Sequence, residues 1–402
     1  MGRNEPISRR AQTLSIMISQ LVGFFEKSKW ARRFGDPDIC DFTFGNPQDL
    51  PLEELVGAIK RWSTPKDRYW FAYKRNEPEA RRIVAESLRR SHGMPFEPED
   101  VFLTNGATAA LAVVLSAIVD PGDEVIFFSP PWFLYESLIT DAGGKPVRVR
   151  LTAGSFDLDT GTLARALNEK TRAVIINSPH NPTGRIYSRE LLEDLSQILA
   201  ETAEKNGRPV WLISDEAYRK IIYDGREYPS PAVFHPDSFI VYTYGKALLS
   251  PGERIGYIAM PPGMRDRLRF RQTVPVLQMT NGWSFPNAVL QHALGDLESI
   301  TIDTERLQAR RDRLVTALRE MGYVTNIPEG TFYILVESPL PRDEDFTDIL
   351  TDYGIFCIPG TIMELPGYFR LSLTASDEMI DRALPGFEAA LESISKKRKG
   401  AG

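Results

Sequence analysis

The stretch FIVYTYGKALLSPGERIGY, residues 239–257, sets a lysine shortly after an apolar run and an arginine eight positions later. The run FIVY does not alternate apolar and polar residues, which is typical of a strand buried on both faces of a parallel sheet. Lys246 and Arg254 follow this strand in a segment that contains three glycines. The question is whether the two cations belong to a solvated loop or to a ligand site.

Three runs of the same kind precede this stretch, namely VIFF from residue 125, AVII from 173 and VWLI from 210. Longer helical patterns separate the runs. In one of them, Ser188 is a suitable N-cap, leucines mark one face and Gly207 ends the helix. Alternating strands and helices predict an α/β domain with a largely parallel sheet, which binds ligands at the carboxyl ends of its strands.

The last hundred residues have a different pattern. An amphipathic helix is expected from residue 305, followed by two short strands, TFYILVE at 331–337 and YFRLSLT at 368–374, and a final helix. This order predicts a smaller α+β domain. Since 402 residues exceed the roughly 250–300 that one core usually serves, we expect three parts: an N-terminal arm with part of the small domain (1–50), a large cofactor-binding domain (51–290) and the C-terminal small domain (291–402).

Composition excludes several classes of protein. The chain has a net charge of -6, 42% hydrophobic and 25% charged residues, as expected of a soluble globular protein without a basic surface for nucleic acid. Its longest uncharged, largely apolar run, residues 109–119, is too short for the ~20 residues of a membrane span. We therefore predict neither a nucleic-acid partner nor a membrane anchor.

The two cysteines, Cys40 and Cys357, are too few for a disulfide framework and do not have the spacing of metal ligands. They favour a reduced compartment, and we expect a cytoplasmic protein without a metal site. Polar residues interrupt the partly apolar N-terminus, and no cleavage site follows it. The first 30 residues are therefore predicted to form a helical arm that packs on the body of the protein.

Polar side chains follow three of the predicted strands. Asn177 and Asn181 come after AVII, Asp215 and Tyr218 after VWLI, and Lys246 after FIVY. Because the carboxyl ends of parallel strands meet at one edge of a sheet, a carboxylate, two amides, a phenol and an amine are expected to lie together there.

A second group of residues favours an anion. TNGATAAL, from residue 104, puts Gly106, Ala107 and Thr108 at the beginning of an apolar helix, where free N–H groups and the helix dipole suit a phosphate. Arg254 adds a guanidinium fork that matches phosphate oxygens. Together these residues predict a phosphate site.

The combined set fits pyridoxal 5′-phosphate (PLP). Lys246 would form an imine with the aldehyde, and Asp215 would pair with the pyridinium nitrogen so that the ring accepts electrons. Tyr218 and Asn181 would donate to the 3-oxygen of the ring, and Trp132 in SPPWFLY would stack on its face. The sequence thus predicts a PLP enzyme.

Several segments resemble the signature segments of the class I and II aminotransferases, which are fold type I PLP enzymes. These are NSPHNPTG, SDEAY, TYGKALLSPGERIGY and GYFRLSL, in the order and approximate spacing of the family, together with FTFGNP, TNGATAAL and PEGTFYI. The resemblance covers almost the whole chain. It implies a mostly parallel, seven-stranded sheet flanked by helices, plus a smaller α+β domain.

The resemblance also implies roles for residues around the cofactor. Lys246 is implied to be the Schiff-base lysine, Asp215 the partner of the pyridine nitrogen and Tyr218 a further catalytic residue. The other implied cofactor-binding residues of the same subunit are Gly106, Ala107, Thr108, Trp132, Asn181, Thr243 and Arg254. The family often has a serine where Gly245 stands, so one hydroxyl contact is missing here.

For the substrate, the resemblance implies that Arg370 holds the α-carboxylate and that Asn181 and Gly45 face the same ligand. Tyr73 resembles the tyrosine that reaches the phosphate of the neighbouring subunit, although the segment after it is shorter than in the common pattern. The resemblance therefore implies a homodimer. The sequence does not decide which substrate side chain is bound. A second carboxylate could meet one of the cations Lys74, Arg75 and Arg271, whereas an aromatic side chain could pack against Phe44 and Trp283.

The reaction implied is transfer of an amino group from an L-α-amino acid to a 2-oxo acid by a ping-pong mechanism, with Lys246 carrying the Cα proton. Same-fold PLP lyases or synthases, which eliminate at Cβ or form a cyclopropane, stay open as alternatives. Tyr242 and Lys246 also have the YxxxK spacing of short-chain dehydrogenases, but the glycine-rich turn of that class is missing. Only ~40 residues precede FTFGNP, too few for the DNA-binding module of a PLP-binding regulator.

Overall fold

The computed structural model describes residues 6–400, with side chains up to residue 396. Its strands are β1 (Cys40–Asp41), β2 (Val101–Thr104), β3 (Glu124–Ser129), β4 (Lys145–Arg150), β5 (Thr171–Asn177), β6 (Trp211–Asp215), β7 (Ser238–Thr243), β8 (Gly256–Ala259), β9 (Tyr333–Glu337), β10 (Ile355–Phe356), β11 (Ile358–Pro359) and β12 (Tyr368–Ser372).

The α-helices alternate with these strands in the first two thirds of the chain. They are α1 (Arg9–Met17), α2 (Ser19–Lys27), α3 (Lys29–Arg33), α4 (Glu53–Trp62), α5 (Pro78–His92), α6 (Ala107–Ile118), α7 (Tyr135–Asp141), α8 (Thr160–Ala166), α9 (Arg189–Asn206), α10 (Pro231–Phe234), α11 (Tyr244–Ala247), α12 (Arg267–Thr280), α13 (Ala288–His292), α14 (Leu294–Ser299), α15 (Thr304–Glu320), α16 (Asp343–Asp352) and α17 (Asp377–Gly400).

A seven-stranded sheet forms the centre of the molecule, in the order β2-β8-β7-β6-β5-β3-β4. All of its strands run parallel except β8, which is antiparallel to both β2 and β7. The four apolar runs recognised in the sequence are β3, β5, β6 and β7. The predicted α/β fold with a mostly parallel sheet is confirmed.

Both faces of this sheet are covered, which explains why its strands do not alternate in polarity. In β7, Phe239 and Val241 pack into a cluster with α6 and α12, whereas Ile240 and Tyr242 pack into a cluster with α5 and α14 on the other face. Every residue of β7 is buried. A central parallel strand therefore reads as one continuous apolar run.

Helix α9 begins and ends where the sequence predicts. The Ser188 hydroxyl accepts a hydrogen bond from the Leu191 N–H at 3.3 Å, and Gly207 adopts a left-handed conformation with φ of 63°. Leu192, Leu195, Leu199 and Ala203 are its buried apolar positions. The cap, the apolar stripe and the terminal glycine thus act together, as in most amphipathic helices.

A smaller antiparallel sheet of order β11-β12-β9 follows in the last third of the chain, and β1 pairs in parallel with β10. Helices α15, α16 and α17 contribute to one hydrophobic cluster with these strands. The predicted smaller α+β unit, with an N-terminal contribution, agrees with this arrangement. The domain boundaries at residues 50 and 290 stay a prediction.

The N-terminal segment is helical and packs on the body of the protein. Arg10 of α1 forms an ion pair with Asp141 of α7 at 3.5 Å, and the Trp30 indole donates to Asp41 at 2.9 Å. The first five residues of the predicted arm lie outside the described residues. Within the part that is described, no helix is long and apolar enough to cross a bilayer. Cys40 and Cys357 are both buried and free.

Candidate active site

Strands β5, β6 and β7 end side by side at one edge of the large sheet. The register sets Asn177 opposite Asp215, and Asp215 opposite Val241 two residues before the end of β7. Side chains from this edge line one cavity together with the beginning of α6 and two loops. The cavity is lined by Ala107, Thr108, Leu111, Trp132, Asn177, Asn181, Asp215, Ala217, Tyr218, Thr243, Gly245, Lys246, Pro251 and Arg254.

Lys246 lies on the short helix α11, half-buried in the cavity wall. The Thr243 hydroxyl accepts from the Gly245 N–H at 3.3 Å and so caps this helix. The Lys246 Nζ is 5.7 Å from the ring centre of Tyr218 and 5.8 Å from that of Phe332. A Cβ at Gly245 would lie 3.0 Å from Pro251 Cα, a tight contact that would require the backbone of Pro251 to shift slightly.

Asp215 is the last residue of β6 and is only 5% exposed. The Tyr135 hydroxyl donates to its Oδ2 at 2.6 Å, and the Ala217 N–H donates to its Oδ1 at 3.2 Å. Burial raises the pKa of Asp215 to about 6, more than these two hydrogen bonds and the charge of Lys246 lower it. No described Lys or Arg forms an ion pair with it, so this carboxylate can accept a cationic ligand.

Arg254 and the beginning of α6 form the other end of the cavity. Gly106 has φ of +83°, and a Cβ there would lie 2.7 Å from the Arg254 Nη2. The exposed Arg254 donates to the carbonyl oxygens of Pro251 and Asn105 at 2.6 and 3.3 Å. Because the first N–H groups of a 12-residue helix have no partner within the helix, this end suits a phosphate.

Arg370 on β12 is 2% exposed and reaches the same site from the smaller sheet. Its Nη1 donates to Asn181 Oδ1 and its Nη2 to the Thr43 carbonyl oxygen, both at 3.1 Å. The Arg370 Nε and the Thr43 hydroxyl are buried without a partner. Since buried polar groups are nearly always paired, a polar ligand at this place would satisfy both atoms.

The remaining predicted site residues have different surroundings. Gly45 follows Thr43 closely, and a Cβ there would overlap the Phe332 ring. Trp132 packs edge-on against Tyr135 with ring centres 5.4 Å apart. Tyr73 does not line the cavity of its own chain; it is 86% exposed.

Most of the residues considered for the side chain of the substrate contact other partners within this chain. Lys74 lies 3.6 Å from Glu77, and Arg271 pairs with Asp100 at 2.7 Å. Phe44 stacks on Phe25 of the N-terminal helices with ring centres 4.6 Å apart. Neither Arg75 nor Trp283 lines the cavity of its own chain.

Tyr242 and Lys246, which have the YxxxK spacing, do not face the same cavity. Tyr242 faces away from the cavity, its ring lies 4.4 Å from the Arg219 guanidinium and its hydroxyl is buried without a partner. His180, which sequence reasoning treats as structural, contacts Thr183 in its own turn at 2.9 Å, and burial lowers the pKa of this histidine to about 3.

The residues that sequence reasoning missed include Thr43, Tyr135 and Tyr333, which all contact predicted site residues. Tyr135 comes one helical turn after Trp132 in a segment already quoted, and that spacing is a signal for a shared location. Tyr333 stands inside PEGTFYI, but its contact with Arg370 depends on the pairing of β9 with β12. No local pattern gives that pairing.

The geometry fits PLP. The cavity combines an amine, a buried carboxylate with a raised pKa, a phosphate-type helix end and an aromatic wall. A Cβ at Gly106 would fill the space beside Arg254, so the cradle there requires glycine. The donor and acceptor types thus match the aldehyde, the ring nitrogen and the phosphate of this cofactor.

The comparisons with known proteins agree with this fit. The family model described as aminotransferase class I and II matches residues 37–387. The chain is 32% identical to an aspartate/prephenate aminotransferase of Thermus thermophilus, over 96% of this chain and 98% of that protein. It is 30% identical to an aspartate aminotransferase of Rhizobium meliloti, over 97% of each chain.

Solved structures give the same result. An aminotransferase of Eubacterium rectale superposes with a TM-score of 0.85 at 28% identity, covering 96% of each chain. The aspartate aminotransferase of Thermus thermophilus with maleate superposes with a TM-score of 0.80 at 29% identity, covering 96% of this chain and 100% of that one. The protein therefore belongs to the class I and II aminotransferases, a family of PLP-dependent transaminases.

Proposed function

We propose that this aminotransferase moves the amino group of an L-α-amino acid to a 2-oxo acid, with Lys246 as the residue that holds PLP and carries the proton. The supporting observation is that one cavity combines three groups: the Lys246 amine, the buried Asp215 carboxylate, which forms no ion pair with a described Lys or Arg, and the phosphate-type end at Arg254. When bound, PLP supplies an electron sink that makes the substrate Cα–H acidic. The chain's own residues then bind, orient and transfer the proton.

Arg370 binds the α-carboxylate of the substrate in this proposal. Its guanidinium is held by Asn181 and by the Thr43 carbonyl oxygen, and its Nε still lacks a partner. A bidentate arginine–carboxylate pair would use this fixed geometry, and it fixes the substrate Cα relative to Lys246.

Lys246 would take the proton from the substrate Cα and deliver it to C4′, the aldehyde carbon of PLP. Its Nζ lies near two aromatic rings, on a helix that Thr243 caps. Asp215 stays ionised when it pairs with a cation, and Tyr135 holds its carboxylate in place. A single amine can act as general base and then as general acid if it reaches both carbon atoms.

The remaining predicted cofactor-binding residues are proposed to contact the phosphate, the ring face and the 3-oxygen of PLP. Gly106, Ala107, Thr108, Thr243 and Arg254 bind the phosphate. Trp132 covers the ring, and Tyr218 and Asn181 contact its 3-oxygen. The support for this assignment is that all of these residues except Gly106 line one cavity, and Gly106 touches Arg254.

We further propose that the active unit is a homodimer in which Tyr73 reaches the phosphate of the partner subunit. Tyr73 lies in a segment of exposed aromatic residues with Tyr69 and Phe71, and it packs on Phe285 with ring centres 4.7 Å apart. Such a patch on a soluble protein commonly marks an interface. The two free, buried cysteines favour a reduced, cytoplasmic location.

The substrate side chain is not fixed by the residues of one subunit. One similar protein is named an aspartate/prephenate aminotransferase, and another is named an aspartate aminotransferase. In this chain Lys74 and Arg271 already have acidic partners. If dicarboxylates are substrates, their second carboxylate needs a cation from the partner subunit, and the exposed Arg75 near Tyr73 is the candidate.

The test is a panel of acidic, aromatic and aliphatic L-amino acids added to the PLP-loaded protein. Transamination converts the absorbance of bound PLP to that of pyridoxamine phosphate and releases the matching 2-oxo acid. If no amino acid in the panel gives this conversion, the proposal is wrong. Release of ammonia with PLP unchanged would instead indicate an eliminating lyase.

A further inference from the structure

Tyr333 is a buried residue beside the site that the sequence motifs do not assign. It is the first residue of β9 and lies opposite Ser372 of β12, while Arg370 lies opposite Leu335. Tyr333 and Arg370 are therefore diagonal neighbours on the same face of an antiparallel pair, close enough for long side chains to touch. Only 4% of Tyr333 is exposed.

The ring of Tyr333 supports the guanidinium of Arg370. The Arg370 Cζ lies 3.8 Å from the ring centre, so the planar group stacks on the ring. Its two terminal nitrogens point to Asn181 and Thr43. The ring thus fixes the plane of the guanidinium and leaves only its edge to meet a carboxylate.

Tyr333 contacts two other parts of the site. A Cβ at Gly45 would lie 2.8 Å from the Tyr333 hydroxyl, so the Gly45 turn packs directly on it. The Tyr218 ring packs edge-on to the Tyr333 ring, with ring centres 6.1 Å apart. One side chain therefore contacts Arg370, Tyr218 and the Gly45 turn.

We propose that Tyr333 is a positioning residue whose ring aligns the Arg370 guanidinium for the substrate carboxylate. This inference rests on the proposed role of Arg370. It assigns a function to a residue that contacts neither the reacting carbon nor the phosphate in the proposed arrangement.

The ring is tested with Tyr333→Phe, which keeps the stacking, and with Tyr333→Leu and Tyr333→Met, which remove it. In the PLP-loaded protein, the KM for the best amino donor and the dissociation constant of succinate should rise roughly tenfold in the Leu and Met variants relative to Phe, with a smaller change in kcat. Equal constants in all three variants would overturn the role of the ring. If the Leu variant does not fold, the Met variant gives the same comparison.

The two proposals fail separately. If no amino acid is transaminated, the proposed function is wrong, but succinate binding still reports on Tyr333. If transamination occurs and neither the KM nor the succinate dissociation constant distinguishes the variants, only the role of Tyr333 is wrong.

Discussion

Asp215 and Glu216 are neighbours in the chain, and their carboxylates have opposite surroundings. Glu216 accepts hydrogen bonds from Ser214 and Ser230 at 3.0 and 2.5 Å, and it pairs with Arg219 at 3.3 Å. Asp215 accepts from one hydroxyl and one backbone N–H, and no described cation pairs with it. Because successive residues at a strand end point to opposite sides, one carboxylate faces the cavity and the other faces the packed interior.

The pKa values express the same difference. Burial alone would raise the pKa of Glu216, but the nearby His92, Arg219 and Ser230 lower it to about 2. Burial raises the pKa of Asp215 to about 6. The chain's own groups outweigh the cost of burying the charge of Glu216, but they do not outweigh it for Asp215. A buried carboxylate of the second kind can be stabilised by a cation from outside, which is the role proposed for the pyridinium nitrogen of PLP.

The largest expected effects come from neutralising each carboxylate in turn. Asp215→Asn should lower kcat/KM by roughly 10³-fold and leave the fold intact, because only the stabilisation of PLP is lost. Glu216→Gln should lower the free energy of unfolding by about 3 kcal/mol or more, because Arg219 loses its buried partner, while folded protein keeps most of its activity. Steady-state kinetics and urea unfolding measure both effects. Asp215→Glu and Glu216→Asp keep the charges and are the matched controls.

The pH dependence of stability should have opposite signs at the two residues. The folded pKa of Asp215 is raised from 3.8 to about 6, so its contribution to the stability of the apoprotein falls as pH rises through this window, by roughly 3 kcal/mol. The folded pKa of Glu216 is lowered from 4.5 to about 2, so its contribution is complete above pH 4.5 and is lost as pH falls toward 2.

Urea unfolding of the apoprotein at several pH values, compared with Asp215→Asn and Glu216→Gln, separates the two contributions. The difference between wild type and Asp215→Asn should decrease with pH, and the difference between wild type and Glu216→Gln should increase. Parallel curves for the two pairs would show that the carboxylates do not differ as described.

A smaller effect is expected at Tyr135, the side chain that donates to Asp215 at 2.6 Å. Tyr135→Phe removes this hydrogen bond, which should raise the pKa of Asp215 further and weaken PLP binding roughly tenfold. Titration of the apoprotein with PLP gives the dissociation constant. Tyr187→Phe is the control, since the Tyr187 hydroxyl is buried without a partner. Equal affinities in the two variants would mean that Tyr135 does not support Asp215.

The smallest effect is expected at Tyr242, on the Glu216 side of the sheet. Its hydroxyl is buried and unpaired, so Tyr242→Phe should be neutral or stabilising by up to about 1 kcal/mol, with unchanged kinetics. Thermal unfolding and a standard activity assay measure this. A large loss of activity would give Tyr242 and Lys246 a joint role that the geometry does not support.

The sequence allowed much of this arrangement to be predicted, because the end of a buried parallel strand is a local signal. Lys246, Asp215 and Asn181 each follow an apolar run, and the common edge of the sheet brings them together. Arg370 and Gly45 followed from family segments rather than from local patterns. Their contacts with the large sheet depend on how the smaller sheet packs.

What escaped prediction depends on contacts distant in sequence. Tyr333 meets Arg370 through the register of β9 and β12, and Tyr135 meets Asp215 across 80 residues of chain. The compensated state of Glu216 depends on Arg219, Ser230 and His92, and His92 comes from α5 on another part of the chain. A sequence shows that a carboxylate is present, but the folded surroundings decide whether it is structural or available to a ligand.

The most direct test of the central claim is to locate the covalent attachment of PLP. The protein is loaded with PLP, reduced with borohydride, digested and analysed by mass spectrometry. We predict that the peptide containing Lys246 carries the PLP-derived mass and that Lys246→Ala abolishes it. Stable attachment to another lysine, or to none, would contradict the account.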